Sequence, residues 1–236
     1  MSAQPPHNDL QYGQIKDHSS FMRFVCYFIT IVLILFMLRA VADSNIVFND
    51  ALYNKIRSQY DDGALERVRD WQTLLSENLD LPIDEKLYRV NNFFNELEFV
   101  DDIDHWGKDD YWATPVEFLA TEGGDCEDFV IAKYFSLKEL GVPAEKLRLM
   151  YVTATRLRQA HMVLAYYEQS NSVPLVLDNI NRRILPASRR RDLLPVYSFN
   201  GDGLWLAKEQ GRGQKVQQGG NNNLWNDLNK RMQLGD

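Results

Sequence analysis

Three stretches of the chain repeat apolar residues every three or four positions: Asn49 to Tyr60, Ala64 to Leu79 (Leu65, Val68, Trp71, Leu75 and Leu79) and Ile83 to Leu97 (Leu87, Val90, Phe94 and Leu97). That spacing draws one apolar stripe along a helix, so the first three elements are predicted to be amphipathic helices. The period fails from Phe99 to Trp112, where Asp101, Asp102, Asp104, Asp109 and Asp110 surround Gly107 and predict an acidic loop. Thr114-Pro115-Val116-Glu117 has the form of a capping box with proline at the first helical position, which predicts a short helix to about Thr121. The next helix runs from Cys126 to Leu140, buried through Val130, Ile131, Tyr134, Phe135, Leu137 and Leu140, and stopped by Gly141 with Pro143 beyond.

After Gly141 the period changes. Leu147 to Thr155, His161 to Tyr167 and Pro174 to Asn179 are rich in Leu, Val, Tyr and Thr, are separated by polar turns, and predict consecutive antiparallel strands. Helices first and strands later give an α+β domain over residues 43–207. From Lys208 to the end Gln, Asn and Gly dominate; such a composition builds no packed core, so residues 208–236 are expected to form a polar mobile tail with at most a helical turn at Leu224 to Met232.

The other end carries a different signal. Phe24 to Leu38 is an apolar run of 15 residues after Arg23 and before the small-x-small triplet Ala40-Val41-Ala42. A helix needs roughly 20 apolar residues to cross a bilayer, so the run suits a signal peptide removed after Ala42, while the polar segment 1–23 ahead of it would also suit an uncleaved anchor. Either arrangement sends the folded part to an oxidising compartment. Residues 43–236 hold 23 basic and 31 acidic residues, a net charge of −8, which argues against nucleic acid or anionic lipid as partner. The arginine clusters at Arg182-Arg183 and Arg189-Arg190-Arg191 are read as a solvated face.

With residues 1–42 set aside, taking Cys26 with them, Cys126 is the only cysteine. A lone thiol in an exported protein has no disulfide partner, and this one sits in Gly124-Asp125-Cys126-Glu127-Asp128 at a helix start, where free N–H groups and the dipole favour a thiolate. Of His105 and His161, the latter is the better base: a strand fixes its height, and Asp178 ends the following strand, where it can orient the ring. The candidate catalytic set is Cys126, His161 and Asp178. Asp125, Glu127 and Asp128 crowd the thiol and should hold it protonated. Glu127 and Asp128 would complement the helix dipole without any ion; the alternative is a hard cation, most naturally calcium, held there with contributions from Asp101, Asp102 or Asp104.

These residues resemble the LapG family of bacterial transglutaminase-like cysteine proteases. The similarity runs through Trp106-Gly107, Asp110-Tyr111-Trp112-Ala113-Thr114-Pro115, Glu117-Phe118-Leu119, Gly124-Asp125-Cys126-Glu127-Asp128-Phe129, Ile131-Ala132-Lys133-Tyr134-Phe135, Leu147-Arg148-Leu149, His161-Met162-Val163-Leu164, Leu177-Asp178-Asn179, Pro186-Ala187-Ser188 and Leu204-Trp205. The resemblance implies a papain-like, transglutaminase-like core, the triad Cys126, His161 and Asp178, and a calcium requirement at Asp125 and Glu127. It also implies periplasmic cleavage of a large repeat adhesin near its N-terminus at a di-alanine site, which disperses biofilm, under control of an inner-membrane receptor of the LapD type that responds to cyclic di-GMP. Two other functions use the same residues or none of them: a transglutaminase that resolves the thioester with an amine, and an inactive fold that only binds the receptor.

Overall fold

The computed structural model describes residues 46–201, residues 223–232, the backbone of 203–206, 215–217 and 233–234, and the isolated Tyr27. The signal or anchor expected in residues 1–42 and the polar run 208–222 lie outside the described residues, apart from Tyr27 and the backbone of 215–217. Among the described residues no helix is long and apolar enough to cross a membrane.

The three predicted amphipathic helices form. Helix α1 (Asp50–Gln59) starts at Asn49, whose side chain accepts from Leu52 N, and α2 (Asp62–Glu77) starts at Asp61, which accepts from Ala64 N. Helix α3 is Ile83–Phe94. Each orphan donor satisfied this way is worth about 1 kcal/mol to its helix. A two-residue strand β1 (Glu98–Phe99) follows, then a short helix α4 (Asp102–His105) inside the acidic stretch that the sequence marked as loop. Helix α5 (Pro115–Ala120) carries the full capping box of Thr114 and Glu117. Its far end is held by α2: Arg67 donates to the carbonyls of Leu119 (2.6 Å) and Ala120 (2.8 Å), two of the acceptors a helix C-terminus leaves open. That clamp fixes where the chain enters β2 (Gly123–Gly124), which pairs in parallel with β1.

Helix α6 (Cys126–Glu139) is the centre of the molecule. It has apolar residues on every side, as a helix enclosed by protein should, and packs against α3, α5 and strands β3 (Leu147–Ala154) and β4 (Gln159–Tyr166). With β5 (Leu175–Leu177), β6 (Leu185–Pro186), β7 (Leu193–Asn200), β8 (Gly203–Leu206) and β9 (Lys215–Gln217) these make an antiparallel sheet in the order β6-β5-β4-β3-β7-β8-β9. Alternation splits its side chains. Leu147, Leu149, Met162, Leu164, Tyr166 and Leu177 join the core that contains α6, and Met150, Val152, Val163, Ala165 and Val176 form a second, smaller cluster.

Two parts of the fold differ from the sequence reading. Strand β7 lies inside the sheet beside β3 although it contains Pro195, which lacks a ladder donor; the register slips between Tyr151 and Val152 opposite it, and a bulge is where a sheet interior tolerates proline. The C-terminal residues are not all mobile tail. Helix α7 (Asn223–Leu234) buries Trp225, Leu228 and Met232, whose spacing puts one apolar stripe on a helix despite polar surroundings. Trp225 packs among Trp112, Tyr134, Phe135 and Phe199 with ring centroids 5.7 to 6.5 Å apart. Arg231 pairs with Glu117, donates to the Trp112 carbonyl (2.5 Å) and lies over the Tyr111 ring (4.6 Å), tying α7 to the segment that leads into α5.

Candidate active site

The start of α6 is built by close backbone approach. A Cβ on Gly124 would stand 2.2 Å from Asp128 Oδ2, so only glycine lets Asp128 fold back over the turn. There Asp128, fully buried, accepts from Asp125 N (3.3 Å) and from Ala113 N (2.7 Å), while Asp125, the N-cap, accepts from Glu127 N (3.1 Å). The capping role that first-turn acids suggest is therefore real for Asp125 and Asp128. It does not exhaust their charge.

Asp102, from α4, is carried to the same place. Its Oδ2 accepts from Tyr111 N (2.5 Å), and its Oδ1 is buried with no partner. Carboxylate oxygens of Asp102, Asp125 and Asp128 lie within 4.8 Å of one another, and ligand atoms of Asp125, Cys126 and Glu127 form a second such group. Asp101 and Asp104 belong to neither group. Burial, with Glu127, Asp128 and Asp102 adding repulsion, raises the Asp125 pKa to about 10, and Asp102 and Asp128 are raised for the same reasons. Clustered buried carboxylates with an orphan oxygen have the chemistry of a hard oxygen-ligated cation site, and these residues fit one.

Cys126 opens the helix beside this cluster. Its thiol donates to Glu127 Oε2 (2.7 Å), and burial, with the charge of Glu127 and Asp125, pushes its pKa well above the ordinary thiol range. One contact works the other way: the Met162 backbone N–H is directed at the sulfur and lowers its pKa. Strand β5 stops at Leu177, opposite Leu164, so at Met162 the edge of β4 is no longer covered by a strand and the helix start fills the gap. His161 is the residue before Met162 on the same strand.

His161 and Asp178 are both buried and their Nε2 and Oδ1 are 2.8 Å apart, which leaves Nδ1 as the ring nitrogen not committed to Asp178. The other histidine, His105, is occupied elsewhere, bonded to Thr121 Oγ1 at 2.8 Å. Burial alone would raise the Asp178 pKa; hydrogen bonds and charge from His161 and Arg190 outweigh it and hold it at about 2. Arg190 is the residue the sequence reading missed, having been assigned to a solvated face. It is 3% exposed and donates through Nη2 to Asp178 Oδ2 (2.6 Å) and to Asp192 Oδ2 (2.8 Å). Within a run of three arginines nothing local marks the middle one as buried. A second support comes from α6, where the fully buried Lys133 donates to Asn95 Oδ1 (2.6 Å) and Asn95 donates to the Asp178 carbonyl (2.9 Å). Burial lowers the Lys133 pKa to about 7 despite the opposing charge of Asp178.

Two outcomes follow from these charges. Arg190→Met leaves Asp178 without its buried cation and should lower unfolding stability by about 3–5 kcal/mol; Asp178→Asn in the same background should recover much of it, as a denaturant double-mutant cycle would measure. The acidic cluster sets the second. Because the folded pKa of Asp125 is raised, the folded state binds the extra proton, so its contribution is fully present below the unfolded carboxylate range and is lost as pH rises toward about 10. In chelator the Tm should therefore fall as pH goes from about 5 to about 8, and saturating calcium should remove that slope; a Tm that falls equally with calcium present contradicts a cation at this cluster.

Residues 67–194 match the family model of the bacterial transglutaminase-like cysteine proteinases. Comparison with curated proteins finds no match. Among solved structures, LapG of Legionella pneumophila is 41% identical, covering 79% of this chain and 98% of its own, with a TM-score of 0.67. An EGTA-treated form of that protein gives 41% and 0.68 over the same shares. A calcium-bound form gives 43% and 0.66, covering 76% of this chain and 98% of its own. The family match across residues 67–194 and an α+β fold that is 41% identical to LapG along nearly the whole of that protein place the chain in the bacterial transglutaminase-like cysteine proteinase family.

Proposed function

We propose that the protein is a calcium-dependent periplasmic endopeptidase with the triad Cys126, His161 and Asp178. Its substrate in this reading is a large surface adhesin, cut near its N-terminus at a di-alanine site, and its activity is controlled by an inner-membrane receptor of the LapD type that responds to cyclic di-GMP. The observation that carries the reading is a thiol at a helix start, met by the backbone N–H of the strand residue next to His161, whose Nε2 is bound to a carboxylate held ionised by a buried arginine. The 41% identity to LapG over nearly the whole of that chain supports the substrate and receptor assignments.

The chemistry follows from the positions. His161, its Nε2 committed to Asp178, takes the thiol proton on Nδ1, and Asp178 stabilises the imidazolium that forms. The Cys126 sulfur attacks the peptide carbonyl, and the Cys126 backbone N–H is the first-turn donor of α6 that the Asp125 cap leaves for the oxyanion. His161 returns the proton to the departing amine as the C–N bond breaks, leaving a thioester. A water molecule, deprotonated by His161, then releases the acid and restores the thiol. The cost of this arrangement is the carboxylate belt: Glu127 holds the thiol proton in place and Asp125 adds repulsion. Asp125 and Glu127, with Asp102 and Asp128 of the same cluster, would hold a calcium ion, whose positive charge would offset it.

Purified protein mixed with an adhesin N-terminal fragment should produce two fragments in calcium and intact substrate in excess chelator. Cys126→Ala should abolish cleavage while retaining substrate in a pull-down. Cleavage by Cys126→Ala, or full turnover in chelator, would defeat the reading. Incorporation of an amine probe into a glutamine peptide without backbone cleavage would assign the same residues to transglutamination.

A further inference from the structure

The end of the sheet beyond His161 and Asp178 concentrates arginine in an otherwise acidic chain. Seven of the 14 arginines in residues 43–236 fall between Arg156 and Arg191, a stretch without lysine. The fold gathers them. The β3–β4 turn is bonded to the start of β7 through Thr155, whose N and Oγ1 donate to the Asp192 carbonyl at 2.8 and 3.1 Å. The segment after β5 joins them through the bond from Arg190 to Asp178. Between these loops lies a cavity of about 330 Å³ lined by Arg156, Arg182 and Arg190 together with Leu157, Ile180 and Leu193.

We propose that this cavity and its arginine rim form an exosite that receives an acidic stretch of the polypeptide substrate. The inference rests on the proteolytic reading above and names a chemical class for the substrate. Among the described residues Arg156, Arg158, Arg183, Arg189 and Arg191 are exposed and form no ion pair within the protein, and Arg182 has only the exposed Glu96 (3.0 Å). Arg190 uses Nε and Nη2 on Asp178 and Asp192, while its Nη1 is buried without a partner, an unmet donor in a side chain 2% exposed. Leu157 and Ile180, 51% and 50% exposed, place aliphatic surface between the guanidinium groups. A forked cation pairs with a carboxylate through two parallel bonds, so arginines alternating with aliphatic surface suit acidic residues interspersed with aliphatic ones.

The location favours a polypeptide. Ile180 N donates to Asp178 Oδ1 (3.0 Å), and Ala154 pairs with Gln159, two residues from His161, so the cavity adjoins the residues proposed to act on the scissile bond. A chain lying across Cys126 would reach it within a few residues. A dense polyanion such as nucleic acid would meet the repulsion of a protein with net charge −8 over residues 43–236.

The test uses Cys126→Ala protein in chelator, so that neither cleavage nor recruitment through calcium intervenes. A fluorescent twelve-residue peptide of glutamate and aspartate with two leucines is titrated by anisotropy against its glutamine and asparagine counterpart and a single-stranded oligonucleotide of equal length. The acidic peptide should bind at least about tenfold more tightly than the amide peptide, and high salt should weaken it. Arg156→Glu with Arg182→Glu should cost about tenfold or more, whereas Arg156→Lys with Arg182→Lys, which keeps the charge and loses the fork, should cost less than the reversal. Equal binding of the two peptides, or no loss on charge reversal, overturns the proposal; tighter binding of the oligonucleotide assigns the patch to phosphate and overturns it too. Since the readout involves no cleavage, these results are independent of whether the adhesin fragment is cut.

Discussion

One ionised carboxylate without access to water governs this structure. Asp178 lies at the end of β5, and a buried carboxylate survives ionised only if its neighbours replace the solvent it has lost. Here His161 takes one oxygen and Arg190 the other, while Asn95, itself held by Lys133, binds the carbonyl of the same residue. These partners come from α3, α6, β4 and the turn before β7. Fixing the charge therefore fixes four elements relative to one another, and the helix that carries Cys126 is among them.

A second concentration of charge, of the same sign, lies beside the thiol, and among the described residues no cationic side chain pairs with it. Asp102, Asp125 and Asp128 are buried together, with Glu127 against the sulfur, and backbone N–H groups are their main internal partners. The contrast between the two carboxylate sites is instructive. Arginine and histidine hold Asp178 ionised at every ordinary pH, whereas burial and mutual repulsion drive Asp125 and its neighbours toward protonation. In the proposed reading the protein supplies its own cation at one site and takes the second from solution.

Much of this was legible in the sequence where a signal is local. The amphipathic stripes of α1 to α3, the capping box at Thr114, the helix starting at Cys126 and the antiparallel strands β3 to β5 all follow from spacing within a few residues. What escaped depends on partners far away in the chain. Arg190 is indistinguishable from Arg189 and Arg191 until the fold turns it toward Asp178, and β7 is not among the predicted strands, the bulge that accommodates its Pro195 being set by the neighbouring strand. Trp225 and Arg231 sit in a segment whose composition predicts no core, yet one apolar stripe sufficed once Trp112, Phe135 and Phe199 offered a surface. At the site itself the acids around Cys126 were visible as a problem of charge; that Asp102 rather than Asp101 or Asp104 completes the cluster required the geometry of α4.

The account requires that the Cys126 sulfur ionise through His161 once the surrounding acids are neutralised. The most direct measurement is the rate of iodoacetamide alkylation of Cys126 as a function of pH, with calcium and with chelator, in the wild type and in His161→Ala. Calcium should shift the alkylation profile down into or below the neutral range, and His161→Ala should return it to the slow, high-pH behaviour seen in chelator. One profile common to all four conditions would contradict the account at its centre.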